Sequence, residues 1–246
     1  ASPRSFLLRC RVDLSCARSE GNQTLEIVES LLIGAYKIIQ NPELYRFTSD
    51  SVLLARFLKA KKGERVADFC AGSGVVGLHF YAENTGVESV TLFEMQKELA
   101  DMSGRTVALN GLEKMFRVEN MRLQDIGGEY VEKFSLILCN PPYERGGFEN
   151  ADEKKALCRK ELALTLEELV FAAKKCLKFG GRFALIHRAD RVAELLTALS
   201  RAGLEPKKLQ FIAGKAGEKP YAVLVSAVKG GKKGVEVLPA HINAKE

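Results

Sequence analysis

Residues 140–143 read Asn-Pro-Pro-Tyr and follow the apolar run Leu136–Cys139, which reads as the end of a buried strand. Two adjacent prolines cannot donate to a sheet ladder, and they hold the backbone stiffly. The stretch therefore ends the strand and mounts an amide and a phenol on a rigid loop. Asn140 offers a side-chain oxygen and Pro141 a backbone carbonyl, two acceptors in a fixed relation. A planar exocyclic amine is a poor nucleophile, because its lone pair is delocalised into the ring. Two acceptors drawing on its N–H bonds help it pyramidalise, and the stiffness of Pro141 and Pro142 preorganises them. Tyr143 can stack on a base, worth ~1–3 kcal/mol in single-strand binders. Asn140, Pro141, Pro142 and Tyr143 are the candidate catalytic set.

A second constellation lies about 70 residues upstream. "DFCAGSGVVG" (68–77) contains Gly72-Ser73-Gly74 and Gly77, a GxGxxG between a strand-like run and a helical pattern. Such a loop lets a ligand approach the backbone beside a helix N-terminus. Glu94 follows 20 residues after Gly74, at the end of the next strand, where a carboxylate can accept both ribose hydroxyls of a nucleoside. The glycine pattern alone fits both NAD and S-adenosylmethionine (SAM). Asp68 favours SAM: a carboxylate in the strand end can hold the loop amides and, directly or through water, a methionyl ammonium. The Asn-Pro-Pro-Tyr loop also favours SAM, whose sulfonium is an excellent leaving group and needs no metal.

The elements that position these residues alternate. Strand-like runs at 65–69, 89–94, 134–139 and 182–187, "MFRVEN", "KKLQFIA" and "YAVLVSAVK" are interleaved with helical patterns. Gly111 closes the third helix, and a helix starting near Thr165 is expected to stop at Gly180 and Gly181. Alternation of this kind predicts an α/β fold with a mostly parallel sheet covered on both faces. Ligands of such sheets sit beyond the C-terminal strand ends, so the two constellations should border one crevice. Ahead of this unit, "YKIIQ" and "LYRF" flank Asn41-Pro42 and predict a hairpin. "TSDSVLLARFLKA" predicts a helix capped by Ser49 or Asp50. The expected organisation is an extension at 1–24, a hairpin and helix at 25–63, a catalytic domain at 64–230 and a tail at 231–246. The extension and the tail are expected to be the mobile segments.

Composition excludes several classes. The chain has 246 residues, 46% hydrophobic and 28% charged, with apolar runs far shorter than a membrane span. Six cysteines without CxxC spacing predict free thiols in a reducing cytosol. Three histidines without HxxxH or HExxH leave no metal motif. The net charge of +6 suits a phosphate-bearing partner. Arg145 and Arg159 in the charged loop after the catalytic set, and Arg188 at the end of the fifth strand, are candidate RNA-phosphate contacts. The acidic residues Glu144, Glu149, Asp152 and Glu153 give the same loop an equal reading as solvated surface. Cys70 and Cys139 flank the crevice and also read as packing residues.

"DFCAGSG", "FE" and "NPPY" together resemble class I SAM-dependent methyltransferases that act on planar nitrogens. From about residue 36 onward, "IIQNPELYRFTSDSVLLARF", "LCNPPY", "LTLEELV", "GGRFALIHRADRV" and "PKKLQF" resemble the bacterial tRNA(Val) adenine N6-methyltransferases, which modify the adenine just 3′ of the anticodon. The resemblance implies a monomeric cytoplasmic enzyme with a Rossmann-like, doubly wound, seven-stranded sheet, taking tRNA as substrate and SAM as cofactor. It implies that Asp68, Cys70, Ala71, Gly72 and Gly74 line the methionine end of SAM. Glu94 would hold the ribose and Met95 pack the adenine, while Phe47 and Asp50 close over the methionine side. The family has an acidic residue after the third strand; here the place falls near Met121, and Asn120 or Asp125 is the side chain able to substitute. The glutamine methyltransferases of release factors share NPPY but carry a helical N-terminal domain that this chain's start does not resemble. Methylation of a protein glutamine amide, of guanine N2 in ribosomal RNA, and a silent cofactor-binding module are the alternative readings.

Overall fold

In a computed structural model, residues 26–31, 33, 35–42, 44, 48–142 and 164–243 are described. Phe47, Tyr143, Arg145 and Arg159, among the residues singled out above, lie outside them. A two-stranded antiparallel hairpin, β1 (Ile27–Ser30) and β2 (Lys37–Gln40), precedes helix α1 (Ser49–Phe57). There follow β3 (Glu64–Phe69), α2 (Val75–Glu83), β4 (Val87–Glu94), α3 (Lys97–Leu109), β5 (Phe116–Asn120) and β6 (Phe134–Cys139). After residue 164 come α4 (Leu166–Cys176), β7 (Leu177–Arg188), α5 (Val192–Arg201), β8 (Leu204–Ala213) and β9 (Ala222–Lys229). Two short strands close the chain, β10 (Glu236–Val237) and β11 (His241–Ile242).

The main sheet runs β8-β9-β7-β6-β3-β4-β5, with β10 and β11 both laid along the outer edge of β8. β9 is antiparallel to both of its neighbours; the other neighbouring pairs in the sheet are parallel. This is the expected mostly parallel, doubly wound sheet of seven long strands, and its order reverses between β3 and β6. Side chains alternate across it as the pleat requires. Ala67, Phe69, Ile137, Cys139, Phe183 and Leu185 pack in one buried layer with residues of α4 and α5. Val66, Leu136, Leu138, Ala184 and Ile186 pack in the other with residues of α1 and α2. Strands buried on both faces explain why these segments are near-continuous apolar runs.

Three local expectations are corrected. The described hairpin pairs residues 27–30 with 37–40, so its turn lies in 31–36, ahead of "YKIIQ" and not after it; of the arm expected after Asn41-Pro42, "LYRF", all but Leu44 lies outside the described residues. The hairpin's free edge is met by Thr106 of α3 and by Asn110, the residue that caps that helix: Lys37 N–H donates to Asn110 Oδ1 at 2.8 Å and Ile39 N–H to Thr106 Oγ1 at 3.1 Å. Helix α1 is preceded by Thr48 as its N-cap, without a side-chain cap, so neither Ser49 nor Asp50 caps it; both lie in its first turn. Helix α4 begins as expected, with a capping box between Thr165 and Glu168. It ends at Cys176, however, and Gly180 and Gly181 lie inside β7, where the register against β6 shifts. A β-bulge uses glycine as readily as a helix end does, and the sequence pattern is the same for both.

The segment from residue 231, expected to be mobile, is strapped along β8. Lys207 Nζ donates to the carbonyls of Lys232 (3.0 Å) and Gly234 (2.7 Å), and Gln210 Nε2 to that of Pro239 (3.0 Å). Leu238 N–H and Asn243 N–H donate to the carbonyls of Leu209 and Ala213, each at 2.8 Å. An edge strand with open backbone groups recruits such cover. Among the described residues no helix is long and apolar enough to cross a membrane.

Candidate active site

Three adjacent strand ends build the site. Phe69, the last residue of β3, is in register with Phe93 of β4 on one side and Cys139 of β6 on the other. The glycine loop (70–74), Glu94-Met95 and Asn140-Pro141-Pro142 therefore emerge side by side at the point where the strand order reverses. Open α/β sheets bind ligands at such a switch point.

The loop after β3 is held by two buried carboxylates. Asp68 is fully buried, and its Oδ2 accepts from the Gly77 N–H at 2.8 Å. Its Oδ1 is buried with no partner among the described residues. Burial pushes the Asp68 carboxyl up to about 7, opposed by the Gly77 hydrogen bond and assisted by the charge of Glu94. Glu94 is also buried. Its Oε2 accepts from Gly72 N–H and its Oε1 from Gln96 N–H, both at 2.8 Å. Burial raises its carboxyl as well, with backbone hydrogen bonds pulling the other way. The Met95 N–H is a third backbone donor to it; a carboxylate has roughly four lone-pair sites, so Glu94 keeps capacity for about one further donor unless a ligand hydroxyl displaces one of these bonds.

The loop backbone follows from its residues. Gly72 and Gly74 have φ of +57° and +83°, and Cys70 adopts +58° despite its side chain. Gly74 is the N-cap of α2, and a Cβ there would stand 2.9 Å from Leu92 Cδ1. A Cβ at Gly77 would stand 2.6 Å from Leu92 Cδ2 and 3.3 Å from Asp68 Oδ2. These glycines thus let α2 start directly over β4, with the Gly77 N–H of its first turn donating to the carboxylate of Asp68. Ser103 Oγ–H of α3 donates to the Gly72 carbonyl at 2.7 Å and steadies the loop from the far side. Ala71 is buried and its N–H donates to the Phe93 carbonyl at 3.0 Å.

Met95 is partly exposed beyond Glu94. Asn120 ends β5, and its Nδ2 donates to the carbonyls of Glu94 (2.9 Å) and Met95 (3.1 Å). Both amide hydrogens are thereby spent on the backbone, which leaves Oδ1 as the acceptor. The Met121 N–H donates to the Glu94 carbonyl at 3.1 Å, so Met121 contributes a backbone tie here. Cys70 is partly buried and packs on the layer that contains buried Cys139. Burial and the neighbouring Cys70 push the Cys139 thiol well up, so it is a packing group rather than a nucleophile.

Beyond β6, the Asn140 side chain is half-buried. Its Nδ2 donates to Ser51 Oγ at 3.1 Å. Ser51 is buried in the first turn of α1. Anchoring the amide nitrogen fixes which end of Asn140 is the acceptor and leaves Oδ1 for an incoming amine. Ser51 carries no motif signal; only its position between Asp50 and the apolar face of α1 hinted at it. Asp50 is buried next to Ser51 and accepts from Tyr221 O–H at 3.2 Å. Arg188 is at the end of β7 and forms an ion pair with Asp190 through Nε (3.0 Å) and Nη2 (2.5 Å). The pair uses two of the five guanidinium N–H donors, and a phosphate would share Arg188 with Asp190.

Similarity to known proteins concentrates on this unit. The model of the family described as methyltransferase small domain matches residues 45–202. A curated relative, the tRNA1(Val) (adenine(37)-N6)-methyltransferase of Dickeya chrysanthemi, is 23% identical over 190 residues, covering 77% of this chain and 75% of that one. The enzyme of the same name from Bacteroides thetaiotaomicron is 24% identical over 178 residues, covering 72% and 74%. Among solved structures, a predicted O-methyltransferase of Agrobacterium tumefaciens superposes with a TM-score of 0.62 at 24% identity, covering 78% of this chain and 86% of that one. P. horikoshii TYW2, solved in complex with MeSAdo, superposes with a TM-score of 0.58 at 17% identity, covering 86% and 74%. At these identities the structural likeness establishes the fold.

Proposed function

The chain belongs to the methyltransferase small domain family and uses S-adenosylmethionine as its methyl donor; from that premise we propose that its acceptor is the exocyclic N6 of an adenine in tRNA. The observation that carries the reading is the register of β3 with β6, which brings Asn140-Pro141-Pro142 beside the glycine loop, together with the Ser51 bond that leaves Asn140 Oδ1 to accept. The names of the curated relatives support tRNA, and the adenine 3′ of the anticodon of a valine tRNA, as the substrate.

The residues present fit the donor. Asp68 has a buried oxygen without a partner among the described residues, as a carboxylate awaiting a cation would. Glu94 keeps about one open acceptor site beside its three backbone bonds, enough to take a ribose hydroxyl. Cβ-free Gly74 and Gly77 keep the loop close to β4. Ala71, Gly72 and Gly74, with Cys70 and Asp50, would hold the methionine end, Met95 would pack against the adenine, and Asn120 Oδ1 would accept from its amine. The bound donor supplies a sulfonium-activated methyl group, so the protein need not generate a nucleophile. Its task is positioning and polarisation. Asn140 Oδ1 and the Pro141 carbonyl accept from the two N–H bonds of the target amine, drawing the nitrogen toward a tetrahedral shape with its lone pair aimed across the switch point. The methylated nitrogen then sheds one proton to water. Removing one preorganised partner of this kind costs ~10²–10³ in rate.

The test is incubation with tritiated SAM and, in separate reactions, tRNA lacking the modification, ribosomal RNA and purified release factors. Label in tRNA that digests to N6-methyladenosine is the expected result. Label confined to N2-methylguanosine or to protein glutamine would overturn the acceptor assignment.

A further inference from the structure

The segment 231–243 does more than cover an edge, because its last described residue reaches the site. Asn243 Nδ2 donates to Ser49 Oγ at 2.9 Å and to the Tyr221 hydroxyl at 2.8 Å. The Tyr221 O–H in turn donates to Asp50 Oδ1 at 3.2 Å. Hydrogen bonds thus run in one direction, from amide to phenol to buried carboxylate, with every donor and acceptor in a compatible role. The next residue of the same helical turn, Ser51, holds Asn140. Three consecutive residues of α1 are therefore tied at once to the chain's closing segment, to the β8–β9 connection and to the Asn-Pro-Pro loop.

The anchor points are rigid. Asn243 N–H is bonded to the Ala213 carbonyl at the end of β8. Tyr221 is pinned by its own backbone, its N–H donating to the Ile212 carbonyl and its carbonyl accepting from Ala189 N–H. The helix turn between them lacks a side-chain cap at Thr48. An uncapped first turn frays easily, and here tertiary hydrogen bonds take over the holding.

The geometry points to Tyr221 and Asn243 as positioning residues for methyl transfer: they fix the carboxylate of Asp50, the residue proposed above to stand beside the donor, and, through the same turn, set the place of Ser51. This rests on reading the strand-end edge as the SAM site, and it is independent of which acceptor the enzyme methylates. Tyr221 is partly exposed, so without Asn243 its hydroxyl has water as an alternative partner and the relay loses direction.

The experiment is direct titration of the full-length chain with SAM, for the wild type, Tyr221→Phe, Asn243→Ala and the double variant, with thermal unfolding of each. A hydrogen bond to a charged group and its indirect support predict SAM binding weakened ~10-fold in Tyr221→Phe and ~3-fold in Asn243→Ala. Because Asn243 reaches Asp50 through Tyr221 and is tied separately to Ser49, the loss in the double variant should fall short of the product of the two single losses. The KM for the nucleic-acid acceptor and the unfolding midpoint should stay at wild-type values. Wild-type affinity in both single variants would overturn the inference while leaving the SAM site intact. Losses that multiply in the double variant alongside a lowered midpoint would overturn it too, by showing general destabilisation. A wild-type chain that binds no SAM would overturn both the inference and the cofactor reading beneath it.

Discussion

The two sides of the switch point are built on opposite principles. At the ends of β3 and β4 stand two buried carboxylates, Asp68 and Glu94, whose charges are costly and are met by backbone N–H groups of the glycine loop (Gly72), of α2 (Gly77) and of the turn after β4 (Gln96). At the end of β6 stands a neutral amide, half-buried, held by a single hydroxyl. The first side stores electrostatic demand that a cationic, hydroxyl-rich donor can relieve. The second must present two acceptors to a weak, neutral nucleophile, and a charge there would add desolvation cost without improving the aim. Charge therefore marks the half that binds, and stiffness marks the half that reacts.

The sharpest way to break this contrast is Asn140→Ala. It should lower kcat by ~10³-fold while leaving SAM affinity unchanged, because the reacting half contributes little to donor binding. Single-turnover kinetics with a parallel SAM titration checks it, and a joint loss of rate and affinity would erase the division between the halves.

The next effect belongs to Asp68. Its carboxyl titrates at about 7 in the fold against 3.8 when unfolded. Between those values the native state keeps a proton that the unfolded chain has released. Stability of the ligand-free protein therefore falls as pH rises from about 4 to about 7, by on the order of 4 kcal/mol from this group, and is level above. The difference in urea-unfolding free energy between wild type and Asp68→Asn, taken at pH 5 and pH 8, should show that slope. The same charging makes SAM binding tighten as pH rises from 6 to 8 in the wild type, and Asp68→Asn should flatten the dependence. A pH-independent affinity in the wild type would remove Asp68 from the ammonium contact.

The smallest effect sharpens the neutral half. Ser51→Ala should lower kcat ~10-fold by releasing the Asn140 amide, with SAM affinity unchanged, and Ser51→Thr should restore most of the rate because it keeps the hydroxyl. Loss of rate in Ser51→Thr equal to that in Ser51→Ala would mean that the hydroxyl does not orient Asn140.

Legibility in the sequence followed how local the physics is. The strand runs, the glycine loop, Glu94 and the Asn-Pro-Pro stop were readable because each depends on near neighbours: alternation, positive φ, a missing N–H. The arm "IVES" was not singled out because a four-residue run carries little local signal, and what holds the hairpin in place includes bonds from β2 to Thr106 of α3 and to Asn110 just beyond it, some 70 residues away. Gly180 and Gly181 read as a helix stop because a stop and a bulge use the same residue. Asp50 read as a cap because a cap is the local use of an aspartate, whereas its partner Tyr221 lies 171 residues downstream.

Residues read in line were enough for the order of the strands along the chain, the chemistry each loop can carry, and the pairing of a nucleoside-type glycine loop with a planar-nitrogen motif. The tertiary structure decided which strand ends are neighbours, how far burial raises the Asp68 carboxyl, which end of Asn140 accepts, and that residues 221 and 243 close on α1. The division has one physical cause. Backbone preference and residue chemistry act over a few residues, while desolvation, register and hydrogen bonds between distant segments exist only once the sheet has assembled.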